Sequence, residues 1–292
     1  MTLDPWDGGM VLVKTILYAA TFGAAGGVFF LGYCGRQLPV LDYRRIQRLT
    51  GAFILSGIAV SGARILLLAG SMSGDASGMI DPSLTRMIVQ GPEGAAAGIR
   101  MAGLGLAAFA LSKDRRFFAV AIIGASLAAT SFAWVGHARA AALRAPATVL
   151  VGVHLLSAAF WLGALMPLHI LARDPQSTAI AAAAARFGRM AVIVVGLLLT
   201  AGIILLWILL DTPSQLWMSG YGRLVMIKMG LVAVLLSLAA LNKWRLTPRL
   251  RDRDARAVRW LRRSITAELL LAGLILAVTA AFTTLMGPPA PQ

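Results

Sequence analysis

Long apolar segments separated by short polar loops dominate the chain, and their lengths predict its fold. A helix needs about 20 apolar residues to cross the ~30 Å hydrocarbon core of a bilayer. The segments that reach or approach this length are residues 10–31, 49–69, 95–111, 117–135, 148–171, 191–210, 224–241 and 265–286. This pattern predicts an all-α, polytopic bundle of about eight transmembrane helices, which we expect to form a single integral membrane domain over residues 1–292.

Composition and charge distribution support a multi-pass membrane protein and predict its orientation. The chain is 59% hydrophobic and 13% charged, with a formal net charge of +15. Such a charge would favour nucleic acid in a soluble protein, but nineteen of the 27 Lys and Arg lie in the loops after spans one, three, five and seven. Only four lie in the loops on the other side. The positive-inside bias therefore predicts that both termini face away from the cytoplasm, and we expect membrane lipids around the chain and no nucleic-acid partner.

Four basic residues lie inside predicted spans, all in the half that faces away from the cytoplasm: Lys14, Arg64, Arg100 and Lys228. Each costs at least ~2.5 kcal/mol at bilayer depth unless it reaches water or a partner. Lys14 and Arg64 are near enough to a span end to reach water. For Arg100 and Lys228, a functional role and an internal ion pair both stay open. The carboxylates available on that side are Glu93, Asp75 and Asp81.

Three titratable residues lie near the predicted cytoplasmic ends of spans. His169 and Glu268 are expected at the interface, in contact with water. The single cysteine, Cys34, is expected to be an inert buried thiol, and one cysteine excludes an intrachain disulfide framework or a paired-cysteine metal site.

All three histidines lie in residues 136–171, and two of them are candidate metal ligands. His137 begins the loop after span four, and His154 lies one to two turns into span five from the same side. Because consecutive antiparallel spans bring these levels together, the two imidazoles are candidate ligands for a metal such as copper. The spacing through a loop is not a metal motif by itself. Trp161 lies two turns after His154 on the same helix face.

Methionines on the same side offer a second type of ligand. Thioether sulfur suits Cu(I), although Met is also ordinary filler in helices. Met101, Met226 and Met229 lie one to two turns inside the spans that carry Arg100 and Lys228. They are possible additional metal ligands.

Three local patterns, in order, resemble one known family. The first is Gly136-His137-Ala138 before a loop bearing Ala and Pro, and the second is the stretch from His154 through Trp161 to Leu165. The third runs from Ser219-Gly220-Tyr221-Gly222-Arg223 to Lys228, then through Leu241-Asn242-Lys243 to Leu246-Thr247-Pro248. Together they are similar to the copper resistance protein D family of bacterial inner-membrane proteins. The clear resemblance covers about residues 135–250, within a family-like core of about 117–286.

The resemblance implies copper transport or handling across the bacterial inner membrane by an importer or channel rather than an enzyme. Copper, as Cu⁺ or Cu²⁺, would be accepted at the periplasmic face, often from a periplasmic copper-binding protein of the copper-resistance C type. The positions that match the family are His137, His154, Trp161 and Lys228, and we expect Arg100 and Arg64 to support them.

Two alternatives stay open at this point. The basic residues inside the spans would repel an entering cation. They would instead suit the propionates of a b-type haem whose iron is ligated by His137 and His154. A copper-binding assembly factor without transport is the other alternative. The sequence has no ATP-binding loop, which argues against an ATP-driven pump.

Overall fold

A computed structural model of the protein describes residues 4–112, 114–135, 144–174, 178–209, 214–251 and 254–286. Over these residues the chain is helical and contains no strand. Its α-helices are α1 (Pro5–Cys34), α2 (Val40–Ser73), α3 (Pro82–Gln90), α4 (Pro92–Ala107), α5 (Phe118–Thr130), α6 (Arg144–Leu171), α7 (Thr178–Leu209), α8 (Gln215–Met218), α9 (Gly220–Leu241), α10 (Thr247–Arg251) and α11 (Ala255–Leu285).

The helices confirm the predicted all-α, polytopic membrane bundle. Among the described residues, seven helical segments are long and apolar enough to cross a membrane. The fourth predicted span is a shorter apolar helix, α5 continued by a 3₁₀ turn at Ser131–Trp134. Every predicted span therefore has a helical counterpart.

The regions predicted as loops contain more helix than the hydropathy pattern indicates. The alanine run 179–185, whose composition predicts an interfacial or cytoplasmic helix, forms the first turns of α7. The loop 71–94 contains α3, and the basic segment 243–263 is largely helical. Hydropathy locates the apolar part of a helix but not its polar extensions, which continue into water with their backbone bonds intact.

Local signals set several of the helix ends. Asp4 and Asp7 form a reciprocal capping box at the start of α1, with Pro5 in the first turn. The Ser219 hydroxyl accepts a hydrogen bond of 2.8 Å from the Gly222 N–H at the start of α9. Gly74 ends α2 in the left-handed conformation, with φ of 82°.

Asp75 and Asp81 are helix caps and not partners of the basic residues inside the spans. Each carboxylate accepts hydrogen bonds from the hydroxyl and N–H of a following serine, Ser77 or Ser83. These bonds hold the pKa of both aspartates below the usual range. Of the three carboxylates considered from the sequence, only Glu93 lies where it can pair with a basic residue.

Helix α1 lies at the centre of the bundle and packs against α2, α4, α5, α6 and α11. The backbones of α1 and α6 meet at Gly26, where an added Cβ would lie 2.3 Å from the Gly163 Cα. The Gly23-xxx-Gly27 spacing on this helix predicts a close helix contact, and these two glycines pack on Phe53 and Thr50 of α2. Small residues on two faces of α1 therefore let its neighbours approach closely.

The same spacing at Gly94-xxx-Gly98 also predicts a close helix contact, but the structure does not show one there. A Cβ on Gly94 would meet the backbone of Val89 just before α4, and a Cβ on Gly98 would meet nothing within 4 Å. The close approach on α4 is made by Gly103, whose Cβ would lie 2.6 Å from the Ala128 backbone N on α5. The prediction for Gly98 is therefore wrong.

Contacts between helix ends define the two ends of the bundle. The Trp6 indole donates to the Gly74 carbonyl over 3.2 Å, and the Lys14 ammonium donates to the Thr283 carbonyl over 3.0 Å. The starts of α1, α4, α6 and α9 thus lie with the ends of α2, α5, α7 and α11, and we call this the upper end. The opposite lower end carries the basic segments after α1 and α9.

Candidate functional site

Three of the four basic residues inside the spans meet at the upper end with a single glutamate. Lys14 of α1, Arg64 of α2, and Glu93 and Arg100 of α4 interact electrostatically with one another. We call these four residues the basic cluster. Three cations against one carboxylate leave the group with an excess of two positive charges when all are ionised.

Each cation of the basic cluster has a protein partner. Arg64 forms a bidentate pair with Glu93, in which the second guanidinium nitrogen lies 2.9 Å from the carboxylate. The Arg100 Nε donates to the Ser131 hydroxyl over 3.0 Å, and its guanidinium lies 4.1 Å from the centre of the Phe132 ring. Arg100 is only 2% exposed. These cations therefore have partners inside the protein, and Arg100 does not extend to the surface.

His154 lies on α6 in the other half of the bundle, in a defined hydrogen bond. Its Nδ1 is 3.1 Å from the Leu198 carbonyl oxygen on α7. A carbonyl oxygen can only accept, so Nδ1 carries the proton and Nε2 keeps its lone pair. This tautomer is the one that ligates a metal through Nε2, and backbone carbonyls commonly orient metal-binding imidazoles in this way.

Gly202 of α7 makes room for this ring. A Cβ there would lie 3.3 Å from the His154 Cε1 and 3.4 Å from its Nδ1. Real Cβ contacts are seldom so short, so a larger residue would push the imidazole away from Leu198. The glycine and the carbonyl one turn earlier together form a seat for the ring.

Lys228 of α9 is the charged neighbour of His154. The two residues interact electrostatically, and the Lys228 ammonium lies 5.4 Å from the centre of the Phe282 ring on α11. Phe282 packs edge-on against Tyr221 at a centroid distance of 5.4 Å. We call His154, Leu198, Gly202, Lys228 and Phe282 the His154 site.

The C-terminal turn of α11 joins the two groups. Phe282 contacts Lys228 through its ring, and the carbonyl of the next residue, Thr283, accepts from Lys14. Adjacent residues on a helix point to different faces, so one turn serves both the basic cluster and the His154 site. At the upper end, this turn of α11 therefore contacts both the basic cluster and the His154 site.

Not every predicted site residue belongs to the basic cluster or to the His154 site. His137 lies outside the described residues. Trp161 is 3% exposed and belongs to the main apolar core. Met101 and Met226 are half-buried, whereas Met229 is 51% exposed. In the described part of the chain no three His, Cys, Asp or Glu side chains gather as a metal site would.

Sequence reasoning missed the groups that orient the predicted residues. The Leu198 carbonyl, Gly202, Ser131 and the rings of Phe132 and Phe282 carry no motif. A backbone carbonyl has no sequence signature, and an aromatic residue in a span is typical of lipid-facing or core positions. The one available signal was the polar Ser131 late in the fourth span, on the same side as Arg100.

Comparisons with known proteins cover most of the chain. The family model described as copper resistance protein D-like, N-terminal domain matches residues 3–145, which include the whole basic cluster. The model described as copper resistance protein D matches residues 181–282, which include Leu198, Gly202, Lys228 and Phe282. His154 lies between these two matched regions.

Two curated relatives extend over both regions. Copper resistance protein D of Pseudomonas syringae pv. tomato is 31% identical over 273 residues, which is 86% of this chain and 86% of that protein. Copper transport protein CutJ of Bacillus subtilis is 25% identical over 97% of this chain, and the chain spans 54% of its length. No solved structure matches. The identity and coverage shared with the Pseudomonas protein, with both family models in order along the sequence, show that this chain belongs to the copper resistance protein D family.

Proposed function

We propose that the chain transports copper across the bacterial inner membrane and accepts the ion at the upper end through the Nε2 of His154. The observation that carries the proposal is the hydrogen bond between the His154 Nδ1 and the Leu198 carbonyl, which leaves Nε2 available as a ligand. The names of the two relatives, a copper transport and a copper resistance protein, support copper as the cargo. In the predicted orientation the upper end is periplasmic.

The other ligands follow from donor chemistry. Imidazole binds both Cu⁺ and Cu²⁺, and thioethers favour Cu⁺. His137, at the start of the loop before α6, is the proposed second ligand. Of the three methionines, Met101 and Met226 are half-buried and suited to a transient role, whereas the exposure of Met229 suits lipid contact.

Lys228 and the basic cluster affect how copper would arrive. A free cation near His154 is repelled by Lys228, and the repulsion is strong in a low-dielectric site. Copper carried by a donor protein, or with anionic ligands, avoids much of this repulsion until transfer. We therefore propose a periplasmic copper-binding protein of the copper-resistance C type as the donor.

The whole chain is proposed to act as one integral membrane domain, residues 1–292, with its transport core at about 117–286. The role proposed for it is transport and not enzymatic catalysis. A b-type haem on His137 and His154 is the less favoured alternative, because Arg64 and Lys14 already bond to Glu93 and Thr283 and are not free to clamp propionates.

Copper flux into liposomes containing the purified chain tests the proposal. Wild-type protein should admit copper, and His154→Ala should reduce the initial rate at least about tenfold, because one ligand of the acceptor site is lost. His169→Ala is the matched control, since it removes an imidazole from the same helix at the lower end, and it should leave the rate nearly unchanged. Equal rates in wild-type and empty liposomes would contradict transport and favour an assembly factor.

Substitution of Gly202 tests whether the seat of the imidazole matters. Gly202→Val should weaken copper binding several-fold, because its side chain displaces the His154 ring from the Leu198 carbonyl. Gly196→Val is the matched control on the same helix, where an added Cβ meets nothing within 4 Å. Copper titration of both variants measures the effect, and equal affinities would show that the seat does not set the ring position.

A further inference from the structure

Glu268 is a buried carboxyl group at the lower end of the bundle. We expected it at the interface in contact with water, but the residue is only 3% exposed. Its carboxyl accepts a hydrogen bond from the Nδ2 of Asn242, which is itself 8% exposed. The prediction was wrong because α11 begins ten residues before Ile265, so Glu268 lies inside the packed part of the helix.

No cation compensates this carboxyl within the described residues. Among these residues the Glu268 carboxyl accepts a hydrogen bond from Asn242 and is buried away from water. None of the described titratable groups on the elements packed against α11, or on α11 itself, interacts with it electrostatically. These groups are Asp7, Lys14, Tyr18, Tyr33 and Cys34 on α1, His154 and His169 on α6, Tyr221, Arg223 and Lys228 on α9, Lys243, Arg245 and Arg249 after α9, and Arg256, Arg259, Arg262 and Arg263 on α11. An ionised carboxylate in such surroundings is costly, whereas a neutral carboxylic acid is not.

The Asn242 side chain has the unused group that a carboxylic acid would satisfy. Its Oδ1 is buried and has no hydrogen-bond partner. A protonated Glu268 can donate its O–H to that oxygen while its carbonyl accepts from Nδ2, which completes a cyclic pair between acid and amide. An ionised Glu268 has no proton to donate and leaves the Asn242 oxygen unsatisfied. The Oδ1 of Asn242 is therefore satisfied only when Glu268 is protonated.

The position of Asn242 points to a functional element. Asn242 begins a π-helical segment, Asn242–Leu246, and its carbonyl accepts from the Thr247 hydroxyl over 2.9 Å. Single π turns are rare and frequently occur at functional sites. They also allow a local change in helix winding, which would alter the access of water to the pair.

The pair lies on the same two helices as the His154 site. Asn242 follows Lys228 on α9 by fourteen residues, and Glu268 precedes Phe282 on α11 by the same number. At 1.5 Å per residue this is about 21 Å along each helix. A change in the packing of the antiparallel helices α9 and α11 would therefore affect both the pair and the His154 site.

We propose that Glu268 and Asn242 form a proton-binding site within the membrane, and that its proton is exchanged for copper during transport. Glu268 takes up the proton from water at the lower end, holds it as a neutral carboxylic acid, and releases it towards the upper end when Cu⁺ displaces it. Proton and copper therefore cross in opposite directions. The carboxylate stabilises the passing Cu⁺, and protonation from the lower end restores the starting state. One Cu⁺ replaces one proton, so the net charge of the pair is the same in both states. The proton site stands on the geometry alone, whereas the exchange rests on the proposed function.

Infrared spectroscopy of the purified, copper-free protein tests the proton site. Wild-type protein at neutral pH should show the carbonyl stretch of a buried carboxylic acid, and Glu268→Gln should remove it. Asn242→Leu should shift the band to higher frequency, because the carbonyl loses its hydrogen bond. Asp75→Asn is the matched control and should leave the band in place, since Asp75 is a helix cap whose hydrogen bonds from Ser77 favour the ionised carboxylate. A spectrum in which wild type and Glu268→Gln are the same in this region would overturn the proton site.

A pH-sensitive dye trapped in the liposomes tests the exchange. Copper entry through wild-type protein should make the lumen more alkaline, and Glu268→Gln should abolish this change. Copper entry through wild type without a change in lumenal pH, or an equal change in Glu268→Gln, would overturn the exchange. If wild type admits no copper, the proposed function fails, and the infrared result still decides the proton site.

Discussion

Replacing Gly163 with leucine should prevent the bundle from assembling. A Cβ at this position would lie 2.4 Å from the Phe22 carbonyl oxygen and 2.5 Å from the Gly26 Cα, both backbone atoms of α1. No side chain can rotate away to make room, so α6 would have to separate from the central helix. The cost should exceed the ~1–3 kcal/mol of ordinary overpacking in a core.

Size-exclusion chromatography and thermal unfolding in detergent measure this effect. Gly163→Leu should give aggregated or unstable protein. Gly105→Leu is the matched control, because an added Cβ there meets nothing within 4 Å, and it should behave as wild type. A monodisperse Gly163→Leu variant with the wild-type melting temperature would contradict the contact between α1 and α6.

Glu93→Gln should be the most destabilising of the charge-removing substitutions. The Arg64 and Glu93 side chains are 12% and 29% exposed, and Glu93 is the only carboxylate of the described residues that interacts with Lys14, Arg64 and Arg100. Its loss leaves three cations uncompensated at the upper end. Breaking a fully buried pair costs about 3–5 kcal/mol. This pair is partly buried, so the cost should be smaller but still appear as a clear fall in melting temperature.

The control and the double variant make this prediction specific. Asp75→Asn removes one negative charge from the same end, but asparagine caps a helix as well as aspartate, so stability should change little. Arg64→Gln combined with Glu93→Gln should recover part of the loss, because it removes one of the unpaired cations. If Glu93→Gln and Asp75→Asn unfold at the same temperature, the pair with Arg64 does not hold the basic cluster together.

Hydropathy was sufficient to predict the spans, because in a bilayer each crossing must be a helix of a set length. The hydropathy pattern could not predict how these helices pack against one another. Gly26 and Gly163 lie on helices far apart in sequence, and neither lies in a glycine pair that was singled out. Only the arrangement in space reveals that their backbones meet.

The candidate site was predicted in part. His154 and Lys228 came from the principle that ionisable residues inside spans require partners, and the structure brings them together. Their partners are a backbone carbonyl and an aromatic ring, which have no sequence signal. His137 stays a prediction, since it lies outside the described residues.

Glu268 illustrates a different kind of error. Its place near the end of an apolar segment indicated contact with water, because hydropathy does not register the polar first turns of α11. Its partner, Asn242, belongs to a stretch that was noted only for its resemblance to the family. A carboxyl group and an amide on different spans can be recognised as a pair only when the fold is known.

The copper content of purified protein, measured after brief copper exposure and removal of free metal, tests the central claim most directly. Wild-type protein should retain about one copper per chain, His154→Ala should retain almost none, and His169→Ala should match wild type. Copper content that is equal in wild type and His154→Ala would contradict His154 as the acceptor. Stoichiometric iron in place of copper would identify the protein as a haem protein and contradict the account.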